Sequence, residues 1–198
     1  MVAGHFGFAA GVKSGVPAAP LWALMLATQW LDVFFVPLYL AGIETIVPLD
    51  PTNPNAYGAG LIHANYTHSL VGALVLSLIA GGLAWGRWGR RVGLAIGGVA
   101  FSHWILDLIV HHPDLPILPG NAGNLPVLGF GLWGYPVVAV LVELVLVLGG
   151  AYLYHRRATA LPVSGSLTAA QLRRRRLTAS GVVTGLMLLS LIGSIIGV

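Results

Sequence analysis

The sequence predicts an all-α protein, a polytopic transmembrane helical bundle with about five membrane-spanning helices and a short N-terminal helix. Of its 198 residues, 57% are hydrophobic and only 8% are charged, whereas charged residues make up roughly 25% of a soluble domain. Several apolar runs approach or exceed the roughly 20 residues that cross a bilayer core. The 27 glycines suit close packing between such helices. This composition excludes an ordinary soluble domain.

The predicted elements follow the apolar runs. Residues 1–16 are short for a span and predict a helix that lies against the bundle. The predicted spans are 21–47, 70–85, 92–110, 132–154 and 177–198. The first of them contains Asp32 and Pro37, so it has room for a tilt or a proline kink. The sequence divides into a membrane-embedded domain with the metal site at 1–157, a basic cytoplasmic linker at 158–176 and a C-terminal span at 177–198.

Arginines occur in two groups, at 87–91 and at 156–176. Basic runs can indicate nucleic-acid binding, but short cytoplasmic loops of membrane proteins also collect Lys and Arg. Because apolar spans flank both groups, the pattern favours topology, and we expect no nucleic-acid partner. Both groups then lie in the cytoplasm, and loops 48–67 and 111–131 lie on the outer side.

The chain has no cysteine. This excludes a disulfide scaffold, a thiolate metal site and a cysteine nucleophile. Any bound metal must therefore use His, Asp or Glu, which favours zinc or a harder divalent ion.

The stretch 101–116 carries the most informative polar residues. His103 and Asp107 lie four apart within an apolar run, so a helix places them on one face. Ionisable groups at membrane depth are costly and usually face a protein interior or a water-filled cavity. From this stretch alone, a metal half-site and a single His–Asp bond that orients two helices are equally good interpretations.

The orientation of the spans favours the metal site. Polar residues of separate segments all reach the outer side. They are His63, His68, Asp107, His111, His112 and Asp114. His103 lies about one turn, roughly 6 Å, deeper than Asp107. Independent segments thus place imidazoles and carboxylates at one end of the bundle.

The motifs Gly4-His5, Asp32, His63-x4-His68-Ser69 and Ser102-His103-x3-Asp107 follow one another in this order. Together they resemble the bacterial inner-membrane metal-dependent hydrolases, the YdjM-like family, in a small branch of uncharacterised membrane proteins. The match runs from about residue 4 to residue 107. Ala64 stands where that family usually has Arg, and Asp32 stands without the neighbouring acidic residues of the family pattern.

The resemblance implies a multi-pass protein of the bacterial inner membrane with a divalent metal ion, zinc being favoured. The expected metal ligands are His5, Asp32, His63, His68, His103 and Asp107. Wider relatives of the family are similar to zinc-dependent phospholipase C and zinc nucleases, which cleave phosphoesters.

The expected function is a membrane-embedded hydrolase whose substrate is a small or lipid-like molecule, such as a lipid-linked phosphoester at the outer face. Asp32 or Glu143 is the candidate general base. One alternative is a small transporter or ion-pathway protein in which His, Asp and Glu form a proton relay. Another is a non-catalytic membrane assembly protein, in which the same groups only join helices.

Overall fold

A computed structural model describes residues 1–160 and 168–196. The helices are α1 (Val2–Gly15), α2 (Leu21–Thr28), α3 (Trp30–Leu40), α4 (Leu70–Trp88), α5 (Arg90–Val110), α6 (Pro136–Ala160) and α7 (Ala169–Ile196). Two short strands, β1 (Thr45–Pro48) and β2 (Gly60–His63), form an antiparallel hairpin between α3 and α4. Short 3₁₀ segments cover Pro119–Asn124 and Leu132–Gly134. The all-α prediction is confirmed, apart from this hairpin.

Four helices, α4 to α7, are long and apolar enough to cross a membrane, and a fifth span results if α2 and α3 are counted together. The number agrees with the predicted five. The predicted span 21–47, however, is not one helix. It breaks at Gln29, where α2 and α3 meet at a bend of 47°, and its last residues form β1. The break lies well before Pro37, which is accommodated inside α3.

Two of the apolar clusters show how the helices pack. One cluster joins α1, α2, α4 and α5 through small and branched side chains such as Ala23, Ala80 and Val99. The other joins α1, α6 and α7 through residues such as Ala10, Val147 and Leu191. Helix α1 belongs to both clusters, so this short helix lies at the centre of the bundle instead of against its outside.

Close backbone approach fixes α1 against α6. A Cβ atom at Gly7 would collide with the carbonyl group of Leu146, and one at Gly150 would collide with the carbonyl of Gly7. Only glycine at both positions allows these backbones to touch, as at other small-residue helix crossings. The contact holds His5, two residues before Gly7, at a fixed position in the bundle.

One predicted boundary agrees with the structure and another differs. Helix α4 begins at Leu70, where the predicted span starts, and the Oγ of the preceding Ser69 accepts a hydrogen bond of 3.0 Å from the Gly72 amide. Helix α7 begins at Ala169, so the four arginines 173–176 form part of its first turns instead of a linker. Residues 161–167 of the predicted linker lie outside the described residues.

Candidate metal centre

Four segments bring their polar side chains to one end of the bundle. His5 lies in the first turn of α1 and Asp32 in the first turn of α3. His68 directly precedes the N-cap of α4, while His103 and Asp107 lie in the last two turns of α5. These five residues, distant in sequence, line one cavity of about 210 Å³. The rest of its lining is Met1, Val2, Phe35, Ile62, His111 and Trp133.

Asp107 lies at the centre of the group. Its Oδ1 is 3.1 Å from His5 Nε2, and its Oδ2 is 3.0 Å from His103 Nε2 and 3.7 Å from His68 Nε2. The i, i+4 spacing of His103 and Asp107 therefore places the two side chains in contact, as the helical period predicts. Both are almost fully buried.

Asp32 approaches the same imidazoles from the other side. Its Oδ1 is 3.4 Å from His68 Nε2 and 3.7 Å from His103 Nε2. Its side chain is 36% exposed, while that of Asp107 is 4% exposed. Asp32 is thus the more accessible of the two carboxylates of the group.

Two sets of three residues have ligand atoms close enough to hold a metal ion. His5, His103 and Asp107 form one set, and Asp32, His68 and His103 form the other; within each set the atoms lie within 4.8 Å of one another. His103 belongs to both. The donors are imidazole nitrogens and carboxylate oxygens, which are the zinc ligands that a chain without cysteine can offer.

Hydrogen bonds outside the cavity fix the histidine rings. His103 Nδ1 lies 2.7 Å from the carbonyl oxygen of Thr28. A carbonyl only accepts, so Nδ1 carries a proton and donates it. In the neutral ring Nε2 then has a free lone pair, which points into the cavity. The bend after Thr28 makes this carbonyl available.

The orientation of His68 depends on Thr67 and Glu44. Glu44 is fully buried and accepts the Thr67 hydroxyl hydrogen at 2.8 Å and the amides of Tyr66 and Thr67. Because the threonine hydroxyl has only one hydrogen, its oxygen accepts from His68 Nδ1 at 2.9 Å. His68 Nε2 therefore also carries a lone pair in the neutral ring. Such outer partners set the tautomer and direction of metal-binding histidines.

The arrangement fits a cation. His68 Nε2 and His103 Nε2 lie 3.3 Å apart and face each other, and carboxylate oxygens of Asp32 and Asp107 surround both. Lone pairs that converge in this way repel one another unless a proton or a metal ion lies between them. In addition, His5 Nδ1 is buried and has no hydrogen-bond partner among the described residues.

His111 joins the group, although it was not among the predicted ligands. Its Nε2 is 3.8 Å from Asp107 Oδ2, and its Nδ1 lies 2.9 Å from Asp114 Oδ1. Asp114 in turn accepts the Ile62 amide of β2. The available signal was the same i, i+4 spacing, here from Asp107 to His111. Asp114 thus joins the hairpin to the end of α5.

Two predicted site residues lie elsewhere. His63 ends β2 opposite Thr45 and does not line the cavity. Glu143 of α6 is fully buried, where it accepts from the Gly4 amide at 2.9 Å and from the Tyr57 hydroxyl at 2.8 Å. It satisfies a first-turn amide of α1, next to His5, and ties the hairpin loop to the bundle. Burial, with the Glu143 carboxylate beside it, raises the pKa of Tyr57, so this hydroxyl stays a donor.

Comparison with protein-family models, with curated proteins and with solved structures finds no match to this chain. The resemblance to the inner-membrane hydrolases therefore depends on the short motifs alone.

Proposed function

We propose that the chain is an integral membrane protein of the bacterial inner membrane and a metal-dependent hydrolase that acts on a lipid or lipid-linked phosphoester at the outer face. The main support is that one buried cavity is lined by His5, His68, His103 and Asp107, with Asp32 at its exposed side. The long apolar helices support the membrane location. The arginines at the opposite end of the bundle support an outer position for the cavity, because cytoplasmic loops of membrane proteins collect Lys and Arg.

In this proposal His68, His103 and Asp107 hold a divalent ion, zinc being favoured, and His5 completes the buried ligand set. When bound, such an ion polarises a phosphoryl oxygen and lowers the pKa of a bound water to about 7. Three or four nitrogen and oxygen ligands with room for water are typical of catalytic zinc sites, while structural sites are closed. The cavity of about 210 Å³ leaves that room.

The protein residues have separate tasks. Asp107 and the three histidines are almost fully buried, so they are protected from bulk water and held by their outer hydrogen bonds. Asp32 is the exposed carboxylate and is suited to accept a proton from the attacking water. Phe35 and Trp133 add apolar surface to the cavity lining, which suits a substrate that carries acyl or prenyl chains.

The proton-relay alternative has less support. A pathway across the bilayer needs polar groups along its whole depth. In the described part of the chain, the acidic residues gather at the cavity end, and Glu143 bonds to Gly4 and Tyr57 instead of joining the histidines. The assembly-protein alternative does not account for imidazole lone pairs that face each other.

Metal analysis tests the proposal. The full chain, purified in detergent without chelator, is expected to contain at least one zinc equivalent by mass spectrometry of the elements. The double variant His68→Ala/His103→Ala should lose it, while His63→Ala, the matched control outside the cavity, should keep it. Equal and negligible metal in wild type and double variant, with both proteins folded, would reject the metal centre. Hydrolysis of a chromogenic phosphodiester in mixed micelles should follow the metal content.

A further inference from the structure

Charge is strongly segregated along the bundle. The chain has ten Lys and Arg and six Asp and Glu. Every acidic residue lines the cavity, belongs to a loop near it or accepts a hydrogen bond from such a loop. These residues are Asp32, Glu44, Asp50, Asp107, Asp114 and Glu143. The sequence has no Asp or Glu in 1–31, 69–106 or 144–198. The opposite end of the bundle therefore receives no side-chain carboxylate from the chain.

At that opposite end, three helices place cationic side chains around one pocket of about 270 Å³. Lys13 comes from the last turn of α1, Arg157 from the last turns of α6, and Arg175 and Arg176 from the first turns of α7. Tyr154 lines the same pocket. Lys13 lies eight residues after His5, about 12 Å along the helix, so this pocket is separate from the metal centre.

The positive-inside tendency accounts for arginines in cytoplasmic segments. It does not require cations from α1, α6 and α7 to converge on one concave surface. Lys13 Nζ donates to the carbonyl oxygens of Pro17 and Ala19 at 2.7 and 2.6 Å. These bonds hold the ammonium group in place without neutralising its charge. Like charges brought together in this way repel one another, and an anion between them relieves the repulsion.

We propose that this pocket binds the phosphate of an anionic phospholipid headgroup from the cytoplasmic leaflet. Basic pockets between transmembrane helices on the cytoplasmic side are suited to such headgroups, because guanidinium groups form paired hydrogen bonds with phosphate oxygens. The lipid phosphate lies at the depth where α6 ends and α7 begins. The bound lipid connects α1, α6 and α7, and it is distinct from the substrate of the outer face.

Binding of defined ligands to the full chain tests this proposal. Native mass spectrometry of delipidated protein in a neutral detergent compares phosphatidylglycerol, phosphatidylcholine and glycerol 3-phosphate. We expect phosphatidylglycerol to bind at least about tenfold more tightly than phosphatidylcholine. Glycerol 3-phosphate at the same concentration should not displace it. Displacement by glycerol 3-phosphate would identify a soluble phosphate as the ligand and overturn the lipid assignment.

Matched variants separate the pocket from diffuse surface charge. The variant Lys13→Gln/Arg157→Gln/Arg175→Gln should weaken phosphatidylglycerol binding about tenfold or more. The variant Arg87→Gln/Arg90→Gln/Arg173→Gln removes the same charge from residues that do not line the pocket, and it should weaken binding less than threefold. Equal weakening by both variants, or equal binding of the two lipids by wild type, would overturn the proposal. If the first triple variant does not fold, Arg157→Gln compared with Arg173→Gln gives the same comparison.

Discussion

Asp32 differs from the other acidic group of the cavity in its exposure. Asp107 is buried among four histidines, whereas the Asp32 side chain is 36% exposed and faces two imidazole nitrogens at 3.4 and 3.7 Å. A carboxylate at the cavity mouth can exchange protons with water more readily than one enclosed by ligands. The structure thus suggests different roles for two residues of the same chemical type.

For Asp32→Asn we expect zinc content at or above half of the wild-type value, because the buried ligands remain. Phosphodiester hydrolysis should fall by roughly 100-fold or more, as is typical when a general base is removed. The measurement is kcat together with zinc content on the same preparation, with His63→Ala as the control. Loss of zinc to the level of the His68→Ala/His103→Ala variant would make Asp32 a ligand instead of a base.

Glu143 allows a comparable distinction. A glutamine can still accept from the Gly4 amide while its own amide donates to the Tyr57 oxygen, so Glu143→Gln should leave stability and hydrolysis close to wild type. Glu143→Ala leaves the Gly4 amide and the Tyr57 hydroxyl unpaired and should destabilise the fold by about 1–3 kcal/mol. Thermal unfolding in detergent and the hydrolysis assay measure both effects. A Glu143→Gln variant that folds but has no activity would support the role of general base that the sequence suggested for Glu143.

The sequence predicts the cavity residues well where the helical repeat relates them. The i, i+4 relation identifies His103 and Asp107, and the segment before α4 identifies His68. It does not predict the burial of Glu44, which lies near the end of the apolar run 21–47. Its three hydrogen-bond donors come from Tyr66 and Thr67, more than twenty positions away, and no local pattern marks such a contact.

The packing of α1 against α6 depends on two glycines. The Gly7–Gly150 contact brings two backbones together, and His5 reaches the cavity only because α1 is held there. A side chain at this crossing would push the helices apart, and overpacking of a close contact typically costs about 1–3 kcal/mol.

Gly150→Ala is therefore expected to lower the midpoint of thermal unfolding and to reduce zinc retention, because His5 moves away from Asp107. The neighbouring Gly149 has open space around it, so Gly149→Ala makes the same chemical change without the collision. That variant should be neutral or slightly stabilising, since alanine favours the helix. Similar melting points for the two variants would show that α1 and α6 do not touch as described.

Helix and strand boundaries were harder to predict than the apolar runs. The run 21–47 looks continuous, and Pro37 is the obvious place for a kink, but the break is at Gln29. The hydrogen bonds that Thr28 makes to His5 and His103 stabilise the break, and they come from other helices. The β-hairpin has strands of only four residues each, too short for an alternation of apolar and polar residues to be distinguished from a loop.

For the whole molecule, the segregation of charge predicts topology. Because the chain lacks cysteine, single cysteines report which side of the membrane a residue occupies. Asn55→Cys in the hairpin loop should react with a membrane-impermeant maleimide on intact spheroplasts. Gln171→Cys near the start of α7 should react only after lysis. The reverse pattern would place the cavity on the wrong side for the proposed substrate. Labelling of both positions on intact cells would contradict the cytoplasmic position expected for the start of α7.

The bend between α2 and α3 frees the carbonyl group of Thr28 to accept a hydrogen bond from the His103 ring. In an uninterrupted helix, the carbonyl of Thr28 would accept from the amide four residues on, the amide of Asp32. Straightening this segment would thus consume the acceptor that now orients His103, and it would rotate Asp32 at the same time. The orientation of His103, one of the proposed metal ligands, therefore depends on the bend between α2 and α3 as well as on its own helix.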